Sequence, residues 1–380
     1  MRRLIRNRRA LPAALILLAM TGASLAAPQC AAPEGFPNPA LLETMKRGVN
    51  LPGWDHPDPK RRPTVEQLGA VRDEGFTHIR LLVENPPLDD EAQQSFAETL
   101  FEQVVLLLSL DFTVSIDLHA GHLAEPHLLA GPDEAQAFLT GIWRRLSPAI
   151  RVFDPEKVAV ELLNEPPANP ETWRTVSAGL IADLRHWLPD HTIVVGPSGP
   201  QRHEDLAGME PYRDRNIVYA VHYYDPFLFT HQGANWGGPD DPLQYLAGLP
   251  FPAALSDPAV QSGIAALREA GREEIAGELE HALSEPWTED GISAAFDMMA
   301  EWSDRHDRPV IVNEFGALTF VAPRASRLEW LGSVSRQAEA HCIGWTHWDF
   351  QDGFALMDPH TGMPDRGVVE ALMRPDNHDY

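Results

Sequence analysis

The chain has 380 residues, 44% of them hydrophobic, and its 30 basic against 55 acidic residues leave a formal charge of −25. So acidic a protein repels nucleic acid and anionic lipid and suits neutral or cationic ligands. Two cysteines exclude a disulfide-rich scaffold, and there is no Ser/Thr/Pro-rich linker, repeat or low-complexity block to suggest a second module.

Taken in chain order, the first element is a leader. "MRRLIRNRR" is a basic stretch, "ALPAALILLAM" a short apolar one, and "TGASLAA" supplies small residues for a signal peptidase, with cleavage expected after Ala26. The apolar run falls short of the roughly 20 residues of a membrane span. The mature chain, residues 27–380, is therefore expected in a periplasm or outside the cell, with no membrane anchor. Arg8-Arg9 leaves a twin-arginine route open beside the general one. Removing the leader takes five arginines and no acids, which moves the charge to −30. An oxidising compartment would allow Cys30 and Cys342 to pair, joining the mature N-terminus to the last strand region; two unrelated thiols are the alternative.

Eight short strand-like runs follow. They are "RGVNL" (47–51), "THIRLLV" (77–83), "TVSIDLH" (113–119), "VAVELLNE" (158–165), "TIVVGPS" (192–198), "IVYAVHYY" (217–224), "PVIVNEFG" (309–316) and "GWTHWDF" (344–350). Several are near-continuously apolar, as parallel strands covered on both faces should be. Helical marks separate them. Thr64 and Gln67 form a capping box opening a helix that turns Leu68 and Val71 inward and stops at Gly75. Phe96, Leu100, Val104 and Leu107 recur at helical spacing, as do Phe138 and Ile142 beside Trp143. Eight strand-then-helix units in one domain-sized chain predict an α/β fold, a (β/α)8 TIM barrel. An open doubly wound sheet is the alternative, but it calls for a Gly-rich phosphate turn after the first strand, and "NLPGWDHP" is not one. The sixth connection, about 225–308, is far longer than the rest, and an insertion of that size is expected to carry helices and function.

Polar groups gather at the C-terminal ends of these strands, which converge on one mouth in a barrel. Arg80 lies in the second, His119 ends the third, and Asn164-Glu165 end the fourth. His222 and Tyr224 end the sixth, Glu314 ends the seventh, and Trp348 stands near the end of the eighth. Glu165 and Glu314 are placed to face each other across the barrel axis. Two carboxylates about 5–5.5 Å apart are the apparatus of a retaining glycosidase, and a wider gap suits inversion. Burial and repulsion would raise the pKa of one, the acid, while positive charge and hydrogen bonds keep the other ionised. Pro166 and Pro167 cannot extend a sheet, so the chain must turn where the carboxylate is presented.

"LLNEP", "VNEFG", "DLHAG", "HYYDP" and the strand-eight tryptophan together resemble glycoside hydrolase family 5, the cellulase-like enzymes, from about Arg47 to about Phe354. The resemblance implies Glu165 as acid/base and Glu314 as nucleophile, with Arg80 and Tyr224 bonding the nucleophile and Asn164 the sugar 2-hydroxyl. It further implies His119 lining the subsite at the scissile bond, His222 beside the acid/base, and Trp348 as a platform under the sugar ring. Trp54, Trp236, Trp345 and Phe354 are candidate subsite walls, Trp236 first among them because it stands in a Gly/Asn/Pro-rich loop. Trp143, Trp173 and Trp187 are expected in the core.

The expected activity is therefore retaining hydrolysis of a β-glucan polysaccharide or oligosaccharide, as an endo-β-1,4-glucanase, by a monomer without metal or other cofactor. Soluble or amorphous glucan, or a bacterium's own exopolysaccharide, suits a chain without a carbohydrate-binding module. A mannanase, xyloglucanase or exo-β-1,3-glucosidase would share barrel and glutamates, and a non-catalytic glycan-binding protein is the alternative of another class.

Overall fold

A computed structural model describes residues 30–373, Pro239 apart, and the expected leader lies outside the described residues. Eight parallel strands close into a barrel in sequence order: β1 (Arg47–Leu51), β2 (His78–Val83), β3 (Thr113–Leu118), β4 (Val158–Glu161), β5 (Ile193–Val195), β6 (Ile217–Tyr223), β7 (Val310–Phe315) and β8 (Gly344–His347). The ring closes where Gly48 of β1 pairs with Thr346 of β8. This is the (β/α)8 barrel the strand pattern predicts.

Both faces of the strands are covered. Outward residues such as Val49, Ile79, Leu81, Val114, Ile116, Val158, Val160 and Ile193 join one large core with Leu68, Val104, Leu139 and Trp143 of the surrounding helices. Inward residues are small or aliphatic at the N-terminal end, where Ala159, Val194, Val218, Ala220 and Ile311 meet Phe36, Leu41 and Met45. Leu41 belongs to a short helix, Pro39–Thr44, packed under the barrel floor. Toward the other end the lumen turns polar, with Asn50, Arg80, Asp117, Glu161 and Asn313 all buried. The helix Val65–Asp73 opens on the capping box of Thr64 and Gln67, with both reciprocal bonds made, and buries Leu68 and Val71.

After β5 the helix shrinks to the single turn His203–Leu206, whereas the connection from β6 to β7 expands. It holds helices Phe227–Thr230, Pro258–Glu269, Glu273–Ala282 and Glu289–His306. A disulfide joins Cys30 to Cys342, just ahead of β8. No helix among the described residues is long and apolar enough to cross a membrane.

Buried titratable groups set an expected pH dependence. Burial pushes His78 and His347 down to about 3, and His222 and His231 down to about 4. These histidines stay neutral when folded but take up protons on unfolding once the pH is below their ordinary 6.5. Asp117 and Asp349, raised by burial to about 7 from 3.8, act the other way. Their contribution is complete below 3.8 and lost as pH rises through about 7. Near pH 5, four histidines bind a proton on unfolding and two aspartates release one, a net uptake of about two protons. The urea midpoint should therefore peak near neutrality and fall steadily on acidification. A midpoint that rises between pH 6.5 and 5 would contradict this assignment.

Candidate active site

Arg80 is the hub of the barrel mouth. Its side chain, inward on β2, is completely buried. Nε and Nη2 clasp Glu161 of β4 at 2.7 and 3.0 Å, and Nη2 also reaches Asp117 Oδ2 at 3.0 Å and Asn164 Oδ1 at 2.8 Å. Nη1 donates to Asn50 Oδ1 at 2.9 Å and to Glu314 Oε1 at 2.5 Å. One cation thus serves three buried acids. Burial raises the Glu161 carboxyl above its ordinary range, with Arg80 pulling it back; those acids in turn hold the guanidinium well above its ordinary value against the cost of burial. Asn313 of β7 donates to both oxygens of Glu161, at 2.9 and 3.0 Å, which completes the acid's shell.

Glu314 breaks strand alternation, whereas Glu165 lies past the end of β4 at Glu161 and not on the strand as the run 158–165 led one to expect. Asn313 reaches inward to Glu161, so Glu314 should point outward, yet it reaches Arg80. The β6–β7 register shifts between Val221 and His222, and that of β7–β8 between Val312 and Phe315. Such irregularities re-aim side chains beside active sites. Glu165 takes a left-handed φ of 40° in the turn after β4, uncommon for a non-glycine residue, costing of order 1–3 kcal/mol and persisting only where its surroundings impose it. Tyr224 Oη donates to Glu314 Oε2 at 3.1 Å. His222 Nδ1 lies 2.9 Å from Glu165 Oε1 and 3.5 Å from Glu314 Oε2. Oxygens of the two glutamates and the imidazole nitrogen all fall within 4.8 Å of one another. Burial raises Glu165 above the usual carboxylate range, with His119 and Arg80 pulling it down, although its side chain is 40% exposed.

On the other side of the mouth, His119 Nδ1 contacts Asp117 Oδ2 at 2.8 Å, and its Nε2 is 3.4 Å from Asn164 Nδ2. Arg80 Nη2 bonds to Asn164 Oδ1, so the Asn164 amide is oriented with its nitrogen toward His119. The His119 ring stacks on Trp348, centroids 5.6 Å apart and planes at 18°. Thus Arg80, His119, Asn164, Glu165, His222, Tyr224, Glu314 and Trp348 form one connected constellation.

The candidate aromatic walls divide. Trp236 is 59% exposed and sits near Phe354 and His231. Exposed Phe227 stacks on His231, and the Tyr224 ring packs against both His231 and Phe354, so an aromatic ledge runs from the mouth outward. Trp54 requires a correction. It is 2% exposed, its indole nitrogen donates to Leu82 O at 2.6 Å, and its ring tilts against Phe96, which leaves no face for a sugar. Trp345 is likewise core, wedged edge-on between Phe76 and Phe315, and Phe354 lies almost wholly buried beneath the ledge. His122 is exposed on the helix Gly121–Ala130. Trp143 and Trp173 are buried as expected, and Trp187 packs against the core.

The sequence reading assigned no role to Asp117, Glu161, Asn50 or Gln201. A signal existed for the two acids, each a lone charge inside an apolar strand, "SIDL" and "VAVELL". Among the described residues, two groups have a metal's ligand spacing, Glu165–His222–Glu314 and His203–Glu204–Asp225. An arginine already pairs with acids in each, Arg80 with Glu314 and Arg202 with Glu204 and Asp225.

Residues 42–351 match the family model described as Cellulase (glycosyl hydrolase family 5). Endoglucanase 3 of Fibrobacter succinogenes is 26% identical over 88% of this chain, which spans 54% of that protein's length. Endoglucanase C of Acetivibrio thermocellus is 22% identical over 82% of this chain and 92% of its own. Among solved structures, Thermotoga maritima Cel5A with cellobiose superposes with a TM-score of 0.70 at 23% identity, over 88% of this chain and 99% of that one. Subunit Z of the Clostridioides difficile cellulose synthase superposes at 0.68 and 22%, over 87% and 99%. Those two likenesses bear on the barrel; the family match runs from the helix under its floor to the residues just past Trp348, and the chain belongs to glycosyl hydrolase family 5, the cellulases.

Proposed function

We propose that this chain is a retaining endo-β-1,4-glucanase, exported from the cell, in which Glu314 is the nucleophile and Glu165 the acid/base. The observation that carries the reading is the approach of the two carboxylates within 4.8 Å, the short spacing of double displacement rather than the wider one that admits a water between acid and base. Glu314 Oε2 attacks the anomeric carbon while Glu165 passes its proton to the departing glycosidic oxygen, leaving a glycosyl ester on Glu314. Glu165, now ionised, takes a proton from water as that water attacks the same carbon and Glu314 departs.

The remaining side chains divide the work. The raised pKa of Glu165 suits a group that starts protonated. Arg80 and Tyr224 fix the nucleophile's two oxygens. The oriented Asn164 amide is available to the sugar 2-hydroxyl, and Trp348 with His119 offers a flat wall to the ring. The ledge of Trp236 and Phe227 supplies apolar faces for the C–H sides of further sugars. Export is supported by the basic-apolar-small pattern of residues 1–26 and by the Cys30–Cys342 disulfide.

A panel of carboxymethylcellulose, mixed-linkage β-glucan, mannan, xyloglucan and laminarin tests this reading, with product sizes and the anomer first released followed by NMR. Cello-oligosaccharides of mixed length, released as the β-anomer, are expected. Glucose alone from laminarin would point to the exo-acting alternative, mannan-oligosaccharides alone to a mannanase, and binding without any product to a glycan-binding protein.

A further inference from the structure

We propose that Gln201 is a positioning residue for the proton donor, joining Glu165 to the imidazole of His222; this rests on the reading of Glu165 as acid/base. Gln201 follows β5 in "GPSGPQR" and is completely buried, with a left-handed φ of 48°. Its main-chain carbonyl accepts the His222 N–H at 2.8 Å. Its side-chain Oε1 accepts the main-chain N–H of Glu165 at 2.7 Å. The two residues whose side chains meet at 2.9 Å, Glu165 Oε1 with His222 Nδ1, are therefore held by their main-chain N–H groups from the two ends of one residue.

Two further features single out the amide. The left-handed turn at Glu165 is maintained only where its surroundings impose it, and Gln201 grips the N–H at that turn. Among the described residues Gln201 Nε2 has no hydrogen-bond partner, a penalty that leucine or methionine would avoid in the same space. What glutamine offers in exchange is the acceptor. Gly196 leaves the room for it, since a Cβ there would fall 1.9 Å from Nε2.

The test compares Gln201→Met and Gln201→Glu in the full chain on cellotetraose and on dinitrophenyl β-cellobioside, whose leaving group departs without a proton. Gln201→Met should lower kcat/KM on cellotetraose roughly 10- to 100-fold and on the aryl substrate less than about 3-fold, because general acid assistance, worth roughly 10²–10⁴, matters only for the first. Gln201→Glu keeps the acceptor, so it should recover most of the cellotetraose activity. Its added negative charge should move the alkaline limb of the pH profile upward. Equal losses on both substrates, or none on either, would overturn the proposal. Glu165→Ala is run alongside: if it fails to spare the aryl substrate and azide does not rescue it, the reading of Glu165 is what has failed. Should Gln201→Met not fold, Gln201→Asn, which withdraws the acceptor by one methylene, is judged by the same two ratios.

Discussion

Replacing Glu314 by glutamine is expected to reduce turnover on β-glucan by roughly 10⁴-fold or more, the scale reached when one member of a catalytic unit is removed. The amide keeps the carboxylate's shape and can still accept from Arg80, but it cannot form the glycosyl ester. Glu165→Gln should cost less, about 10²–10⁴-fold on substrates whose leaving oxygen needs a proton. Stability should move the opposite way for Glu314. Three buried acids share Arg80, and removing one relieves the repulsion among them, so the thermal midpoint of Glu314→Gln should equal or exceed that of the unmodified enzyme. Turnover within tenfold of the unmodified enzyme for either variant would remove the assignment.

Arg80→Ala is expected to be the most damaging change to folding in the barrel mouth. It leaves Asp117 and Glu161, both fully buried, without their cation. Breaking a buried ion pair by removing one partner typically costs about 3–5 kcal/mol, which urea unfolding would report as a large drop in midpoint. Arg80→Lys should rescue only part of this, because a single ammonium cannot reproduce the fork that clasps Glu161 while also reaching Asn164 and Glu314. The sign with pH follows from burial. Without the guanidinium, the Asp117 and Glu161 carboxyls rise further than their already raised positions. A raised folded-state carboxyl contributes stability below its unfolded value and loses it as pH rises. The deficit of Arg80→Ala should therefore be smallest in acid and grow toward pH 8. A deficit that does not vary with pH would mean that Arg80 acts by packing rather than by charge.

Much of the barrel was legible because local patterns report local burial. Apolar runs marked strands covered on two faces, and Thr64 with Gln67 marked a helix start whose reciprocal bonds are both made. Trp54 was misread because a tryptophan directly after Pro52-Gly53, past the end of a strand, looks exposed. Nothing nearby in the sequence shows that Leu82, 28 residues on, offers it a carbonyl in the core. Trp236, the first candidate for a subsite wall, does stand exposed in its loop, where Gly and Asn around it signal a turn rather than a packed element.

By itself, the sequence determined the order of the eight strands, the location of Glu314 at a strand end and of Glu165 just past one, and the length of the sixth connection. The closed ring decided the rest. It brought Arg80 to Glu314 across 234 residues and to Glu161 across 81, making one guanidinium the partner of acids that look unrelated along the chain. It also turned Glu314 out of strand alternation by a register shift against its neighbours, and it set Glu165 in a left-handed turn past the end of β4. Periodicity encodes which face of a segment is buried. The breaks that aim a side chain at a site are imposed by neighbouring strands distant in sequence, and such contacts exist only after the barrel has closed.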